Sequence, residues 1–568
     1  MTIRRIRQSI FCLMILTLFA CLGTVALHAQ TSTEGSIAGT VTDPTGAVVS
    51  GAAVTIHNMG TNAEIKLISD ASGFFKAPLL EPGTYRVTFA APGFSSYRAE
   101  NVTVQVGQVT SLLPHLTVGA SSSSVEVVEQ ASVVNLESPD FSESLNSRAL
   151  QEIPINNRRW SSLAMTTPGV VSDASGFGLV AVRGISPILN NIEIDGADDN
   201  QAYYAEERGR TREAYSTTGA AVREFAVNTG VYSAEYGRAA GGVITSVTNS
   251  GTNHLHGQAY FWDRESKWAA YNNYSKITQY SSATNSYVSS YIKPEDLRKI
   301  YGFTAGGALI KDKLFWIYTY DQHSRVFPVV GVPNTPATFF TLPLTAAALP
   351  VGAACNTTTG QMTGDTSTGT QLTFDGYACA LAVRQQISYA TAVTAWTTQV
   401  TALTGDIGPV GRTGFQEINT PKLDYQINSK EHLSLLYHRL NWDSPGGVQT
   451  ASTDSYARDT QGTDYVKLDY GVAKLTSLIS ANIGNELLFQ YSRELNDEGQ
   501  QPYTSYTNSF LTAGGNVPEV ILTGSSIGGF ALGSPYYSYR KALPDEKKWQ
   551  VGDVLYWNKG NHSLKFGV

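Results

Sequence analysis

The strongest constraint on this chain is an alternation that begins after a turn at Asn249-Ser250-Gly251-Thr252-Asn253. Leu255, Gly257, Ala259 and Phe261 take every second place, and His256, Gln258, Tyr260 and Trp262 fill the places between. A period of two sends successive side chains to opposite faces of a β-strand, so one face is apolar and the other polar or amphipathic. The pattern recurs. Tyr301, Phe303, Ala305, Gly307 and Leu309 alternate with other residues, Lys311-Asp312-Lys313 turns, and Leu314 to Tyr320 return. Lys422, Asp424, Gln426 and Asn428 oppose Leu423, Tyr425 and Ile427, ahead of a turn at Asn428 to Glu431 and a return through Leu433, Leu435 and Tyr437. Leu487, Phe489 and Tyr491 share a face. A last hairpin runs from Trp549 through Trp557, turns at Lys559-Gly560-Asn561-His562 and restarts at Leu564.

Charged residues make up 15% of the chain, against a usual share of roughly 25%. Mean hydropathy is nonetheless −0.13, and no long apolar run follows the N-terminus. A chain that meets lipid without such runs must cross it in strands, whose alternate residues stay polar while their amides pair. Aromatic residues gathered near strand ends suit an interfacial girdle. The net charge of −7 becomes more negative once Arg4, Arg5 and Arg7 leave, which argues against a nucleic-acid partner. A length of 568 residues implies several domains.

Residues 1–29 read as a secretory signal: three arginines, an apolar stretch from Ile10 to Leu22 and a small-residue end at Ala29, with cleavage before Gln30. Leu18-Phe19-Ala20-Cys21 is reminiscent of a lipoprotein box, which the bulky Phe19 fits poorly. Cys12 and Cys21 go with the signal. Cys355 and Cys379 remain, and in an oxidising compartment two cysteines closing a short polar loop are expected to bond. The sequence has no CxxC, HExxH or His-x-x-Glu pair, so neither metal nor cofactor is expected.

Residues 30–118 are written in strand and turn chemistry. Asp43-Pro44-Thr45-Gly46 and Asp70-Ala71-Ser72-Gly73 suit type I turns, and Glu81-Pro82-Gly83-Thr84 suits type II. The runs Ile37 to Val41, Ala53 to His57, Tyr85 to Phe89 and Val102 to Val106 predict an antiparallel β-sandwich. Its G-x-V-x-D-x-x-G start, the D-x-x-G-x-F segment at Asp70 to Phe75 and the P-G-x-Y at Pro82 to Tyr85 resemble the carboxypeptidase regulatory-like domain. That is a transthyretin-like fold grouped with carbohydrate-binding-type sandwiches, here a non-catalytic module. Phe94 and Tyr97 are candidates for sugar contact, with packing at the core edge as the competing reading of Phe94.

The run SAEYGRAAGGVITSVTNSGTNHLHG resembles the plug-to-barrel junction of the Oar-like TonB-dependent outer-membrane receptors. In it Tyr236, Gly237, Arg238, Gly241 and Gly242 precede a β-branched run, as in a strand that another backbone approaches closely. QEIPINNRRWSSLAMTTPGV looks like the opening of the plug in that family, with a turn at Asn157-Arg158-Arg159 and Trp160, Leu163 and Met165 entering a core. Arg183-Gly184, Asn191 and Asp195-Gly196 match the family's R-G…N…D-G pattern. Asp195-Gly196 favours a tight turn with φ above zero, and Arg183 is expected to be a buried or wall-facing cation.

The resemblance implies a mainly β chain: the sandwich at 30–118, an α+β plug at 119–250 and a partial antiparallel transmembrane barrel at 251–568. A Thr-, Ala- and Gly-rich insertion at 327–420 would be a long loop, stapled by Cys355 and Cys379, with a helix around Val383 to Thr404. Plugged transporters need ~22 strands, and the chain stops within one at Leu564 to Val568, so a fragment is expected.

By the same resemblance the protein would sit in the outer membrane, with its N-terminal domain in the periplasm. It would bind a siderophore, oligosaccharide or peptide outside and be driven by a TonB-type energy-coupling protein. Val125, Glu126, Val127 and Val128 are the candidate strand for TonB, which needs extended β-branched backbone at an edge. The same run reads equally as the last strand of the sandwich or the first of the plug. A plug held by water-replaceable contacts, each contributing ~1 kcal/mol net, can be shifted by a pull. Arg183, Asp195, Arg223, Glu224, Glu235 and Arg238 are the candidates, and Ala205 to Arg212 is expected to form a charged loop. No enzyme is expected: Gly524-Ser525-Ser526-Ile527-Gly528 fits G-x-S-x-G but runs into loop chemistry rather than a helix. The alternative is a structural or adhesive outer-membrane protein whose sandwich binds carbohydrate or a partner.

Overall fold

The computed structural model describes residues 33–119, 124–127, 142–155, 158–173, 179–202, 207–209, 215–232, 236–270, 276–281, 286–291, 293–447, 451–480, 482–512, 514–523, 529–537, 539, 544–559 and 562–568. Residues 1–32, Val128, Glu235 and the Gly524 to Gly528 motif lie outside that set.

The N-terminal unit is a two-sheet sandwich. One sheet orders Phe74–Leu80, Gly35–Thr40 and Val109–Leu112; the other orders Glu64–Ile68, Ala53–Asn58, Gly83–Ala90, Ser96–Val104 and Ser124–Val127. Alternate residues of both sheets, among them Ile37, Val54, Ile56, Phe75, Val87 and Phe89, meet in one core. The Asp turns form for the reason the sequence suggests. Asp43 accepts from the backbone N–H of Thr45 at 2.8 Å and of Ala47 at 3.0 Å, and Gly46 N donates to Asp43 O at 3.0 Å. Tyr97, a sugar-contact candidate, is instead buried with its ring 5.8 Å from that of Phe89. Phe94 packs against the same core. Strand alternation sends Tyr97 inward, while Phe94, in the turn ahead of that strand, stays half-buried at the core edge.

A mixed five-stranded sheet forms an inner domain, in the order Ala197–Asp198, Asn191–Ile194, Val243–Thr248, Val222–Asn228 and Ser142–Asn146. Only Asn191–Ile194 and Val243–Thr248 pair in parallel within it. Leu150, Leu163, Val182, Phe225, Val227 and Ile244 build its core. Met165, expected there, is 43% exposed. Trp160–Thr166 is a 3₁₀ helix, and at three residues per turn position 165 leaves the face that Leu163 occupies.

Nine long antiparallel strands follow as a meander: His256–Glu265, Leu297–Ile310, Leu314–Val326, Thr413–Asn428, Glu431–Ser444, Gly462–Ser480, Ile483–Gln500, Asp545–Lys559 and His562–Gly567. One face packs on the inner domain, where Ile418, Leu440, Trp442 and Leu468 cluster with Ile194, Ala197 and Tyr215. The other presents Phe303, Phe415, Leu423, Leu487, Phe489, Tyr491 and Trp549 outward. No helix among the described residues is long and apolar enough to cross a membrane.

The connections are unequal at the two ends of this wall. Neighbouring strands close tightly at Ile310/Leu314, Asn428/Glu431, Ser480/Ile483 and Lys559/His562, at the end where the sandwich sits, whereas long stretches of chain separate Glu265 from Leu297, Val326 from Thr413, Ser444 from Gly462 and Gln500 from Asp545 at the other. The excursion after Val326 stops at Arg412 rather than at residue 420, because the inward residues Gly414, Gln416 and Ile418 already belong to the strand from Thr413. Besides single turns at Pro336–Phe339 and Thr404–Asp406, it contains two longer helices, Gly369–Gln385 and Tyr389–Leu403, in place of a single one around Val383 to Thr404. Gln386 adopts a left-handed conformation that ends the first, and Ser388 caps the second. Cys355 and Cys379 are joined.

Candidate functional site at the seam between inner domain and wall

The glycine-rich run acts as the sequence suggests. A Cβ on Gly242 would lie 2.7 Å from Val182 Cγ2, and one on Gly241 would lie 2.4 Å from Asn190 Oδ1. Both glycines therefore let the strand from Val243 come alongside Asn191, whose N–H donates to Gly242 O at 2.9 Å. Asp195 and Gly196 have φ of +49° and +83°, the signature of a type I′ hairpin that returns Ile194 onto Ala197. Asn191 donates to Glu193 Oε1 at 2.7 Å and accepts from Asn200 at 2.6 Å.

Asp195 is the residue where turn and wall meet. Its carboxylate accepts from Thr248 N at 2.8 Å and Thr248 Oγ1 at 2.6 Å, and Lys422 Nζ of the wall lies 3.5 Å from Oδ2. Burial alone would raise its pKa. Lys422, Lys474 and the Thr248 donors outweigh burial and hold it below the ordinary carboxylate value.

A second group of contacts lies along the strand from Asp545. Arg208, 1% exposed, places Nη2 3.3 Å from Glu546 Oε1, and Lys548 Nζ lies 3.2 Å from Asp198 Oδ2. Glu494 accepts from Gly209 N at 2.9 Å, and Gln550 accepts from Asp198 N at 2.9 Å. Burial raises the Asp198 carboxyl less than Lys548 and its Asn200 hydrogen bonds lower it, so its pKa falls below the ordinary value. Its neighbour Asp199 is pushed the other way, by burial and by the Glu207 charge. A third group centres on Asp321, which accepts from Tyr215 OH at 2.8 Å, Thr218 Oγ1 at 3.1 Å and Tyr260 OH.

The expected charges divide. Asp195 faces the wall. Arg238 pairs within the inner domain, with Asp198 at 3.1 Å. Glu224 turns toward the sandwich, taking a hydrogen bond from Val106 N at 3.3 Å and one from Ser144, and burial raises its pKa. Arg223 also faces the sandwich, beside Gly83. Arg183 is exposed rather than buried, since Arg183 and Gly184, with φ of +51° and +76°, form a surface turn over Gly169 and Gly230. Within Ala205 to Arg212, the described residues Glu207, Arg208 and Gly209 are buried rather than looped into solvent. Tyr236 packs edge-on to Tyr232, and Gly237 has open space around it. Asp321, Glu494, Glu546 and Lys548 escaped the sequence reading, and Lys422 entered it only as a polar position of an alternating strand. Their only signal was polarity at inward positions of alternating strands. Of the candidate TonB strand, Val125, Glu126 and Val127 lie with Ser124 in a strand parallel to Ser96–Val104, as the competing reading of a last sandwich strand has it, and Val128 lies outside the described residues.

Residues 247–568 match the family described as outer membrane beta barrel domain, and residues 36–117 match the carboxypeptidase regulatory-like domain. The TonB-dependent transporter Oar of Myxococcus xanthus is 25% identical over 328 residues, which are 54% of this chain and 29% of that protein. The chain is similar to the outer membrane transporter YddB of Escherichia coli at 12% identity and a TM-score of 0.42, covering 75% of this chain and 47% of that one. The siderophore receptor PirA of Pseudomonas aeruginosa gives 11%, 0.37, 76% and 47%. The chain thus spans under a third of Oar and about half of these two solved chains.

Proposed function

Because the chain belongs to the outer membrane beta barrel domain family, we propose that its sandwich, plug and wall strands belong to a TonB-dependent receptor that moves a ligand across the outer membrane. The observation that carries this reading is the seam. Asp195 to Lys422, Arg208 to Glu546 and Asp198 to Lys548 are ion pairs joining the inner domain to the wall. These pairs are largely buried and hold firmly while the seam stays dry, but once a pull on the chain ahead of the inner domain lets water into the seam, water can replace them one at a time and the inner domain loosens without unfolding the wall. The strand at Ser124–Val127 is the handle. It pairs on one side with the sandwich, and its other side is suited to strand addition by a TonB-type protein. Binding and release through this seam need neither bond chemistry nor cofactor. The ligand class spans siderophores, oligosaccharides and peptides.

Thr245 offers a direct test. It is 1% exposed in the inner sheet, and its hydroxyl has no hydrogen-bond partner, so Thr245→Cys leaves the fold intact. In cells displaying the full-length protein, maleimide labelling of this cysteine should rise when TonB is present and energised. Equal labelling with and without TonB would sink the proposal and favour an adhesive or structural role. Incorporating a photo-crosslinker at Val127 should capture TonB in the same cells.

A further inference from the structure

We propose that Glu81, Asp424 and His432 form a divalent transition-metal site that clamps the sandwich onto the mouth of the wall. One residue comes from the sandwich, in the turn between Phe74–Leu80 and Gly83–Ala90; the other two come from neighbouring wall strands, Thr413–Asn428 and Glu431–Ser444. One donor atom from each lies within 4.8 Å of the other two. His432 Nδ1 is 3.1 Å from Glu81 Oε1, and Nε2 is 3.9 Å from Asp424 Oδ1.

A second observation points at a cation. Asp424 is 3% exposed, and neither of its carboxylate oxygens has a hydrogen-bond partner among the described residues. Lys422, on the same strand and face, spends its ammonium on Thr248 Oγ1 at 3.0 Å and Asp195 at 3.5 Å. Lys474 gives its own to Glu34 and to Thr33. A carboxylate withdrawn from water without a donor or cation is expensive to keep, and an ion bound there removes that cost. The cavity beside it carries Gln426, Ser429 and Thr476 and the Lys430 ammonium on walls shared with Ile56, Leu79, Leu80 and Phe315.

One imidazole and two carboxylates suit zinc and its first-row neighbours better than calcium or magnesium, which prefer oxygen alone. Bonds of ~2.0–2.1 Å place tetrahedral donors ~3.4 Å apart, and only one ring nitrogen of His432 can bind, so donors now as far as 4.8 Å apart must close by up to about 1.4 Å. Glu81, with its side chain 34% exposed, has room to make that adjustment. Its backbone is already held, since Tyr85 OH donates to Glu81 O at 2.7 Å. Three protein donors leave one position for water. Because the donors belong to two units, binding the ion and seating the sandwich are one equilibrium. A chelator would then free the sandwich, and with it the strand at its edge.

The test uses the whole chain, purified in detergent and stripped with chelator. Zinc titrated by calorimetry should bind one equivalent, and Glu81→Gln and Asp424→Asn should each weaken it by roughly tenfold or more. Glu81→Gln lies on a sandwich turn and spares the fold if the isosteric change at Asp424 does not. Cobalt should give the visible spectrum of a nitrogen and oxygen tetrahedral site, lost in His432→Gln. Cysteines at Lys76 and Ser563, positions that Lys76 Nζ now spans to reach Ser563 Oγ at 3.0 Å across the same junction, should be bridged by a short bis-maleimide faster with zinc than with chelator. Zinc binding that is equal in the wild type and both carboxylate variants would overturn the proposal. So would a junction that closes with acid through the histidine range in chelator and ignores zinc, since a protonated imidazole alone would then bridge the two carboxylates.

Discussion

Asp195 shows how one side chain serves both local and long-range structure. Its backbone makes the turn that Asp-Gly demands, while its carboxylate anchors Thr248 and receives Lys422 from the wall. Because its folded pKa is depressed, the stabilisation is fully present above the unfolded value of ~3.9 and is lost as pH falls through the lower folded one. Lys422→Met should leave the carboxylate buried without its partner and cost about 3–5 kcal/mol. Denaturant titrations at neutral pH would measure this, and acid titrations should show the inner domain loosening at a higher pH than in the wild type. The double variant with Asp195→Asn should recover much of the loss. A Lys422→Met protein as stable as the wild type would show that Thr248 alone satisfies Asp195. The sequence showed the Asp-Gly turn because a turn is a local event. It could not show Lys422, which is remote in sequence, and it misjudged Arg183, because an arginine before glycine looks the same whether its turn faces wall or solvent.

At the scale of elements, glycine placement and helix breaks decide the packing. Gly242→Val would drive a side chain into Val182 and the Asn228 carbonyl. Overpacking of this kind costs typically ~1–3 kcal/mol, and the expected result is earlier proteolysis of the inner domain, followed by mass spectrometry, with the wall unaffected. The excursion at 327–412 behaves differently. Replacing Cys355 and Cys379 by alanine removes a link across 24 residues of sequence and should cost it about 3 kcal/mol. Limited proteolysis should then find new cuts between 327 and 412 while the wall strands persist. Alternation identified the wall strands, whose faces meet two different surroundings. It could not find the helix break at Gln386, since a polar residue in a left-handed conformation carries no mark that a helical one lacks.

For the whole molecule, what matters is which face meets lipid. Phe489 is 41% exposed on the outward face, while Gln490, next in sequence, is fully buried against the inner domain. Phe489→Arg should therefore cost up to about 2–4 kcal/mol for folding into phospholipid bilayers and much less in detergent. A parallel series in the two media would measure the difference. Equal costs in both would mean that this face does not contact hydrocarbon. The sandwich adds a further level, since it sits on the tight-turn end through Glu34 to Lys474 and Asn62 to Asp312.

The sequence by itself determined what is written within a few residues: the period of two, the Asp and Asp-Gly turns, the glycines that admit a neighbouring backbone, and the contrast between tight and long connections. These depend on φ, ψ and the side-chain period, which a short stretch of chain carries alone. Only the tertiary structure decided which charges face one another across the seam, that Tyr97 is core rather than surface, and that Glu81 meets Asp424 and His432. Those outcomes depend on bringing distant strands into register, and the free energy of a buried charge is set by the partner that arrives, not by its neighbours in sequence.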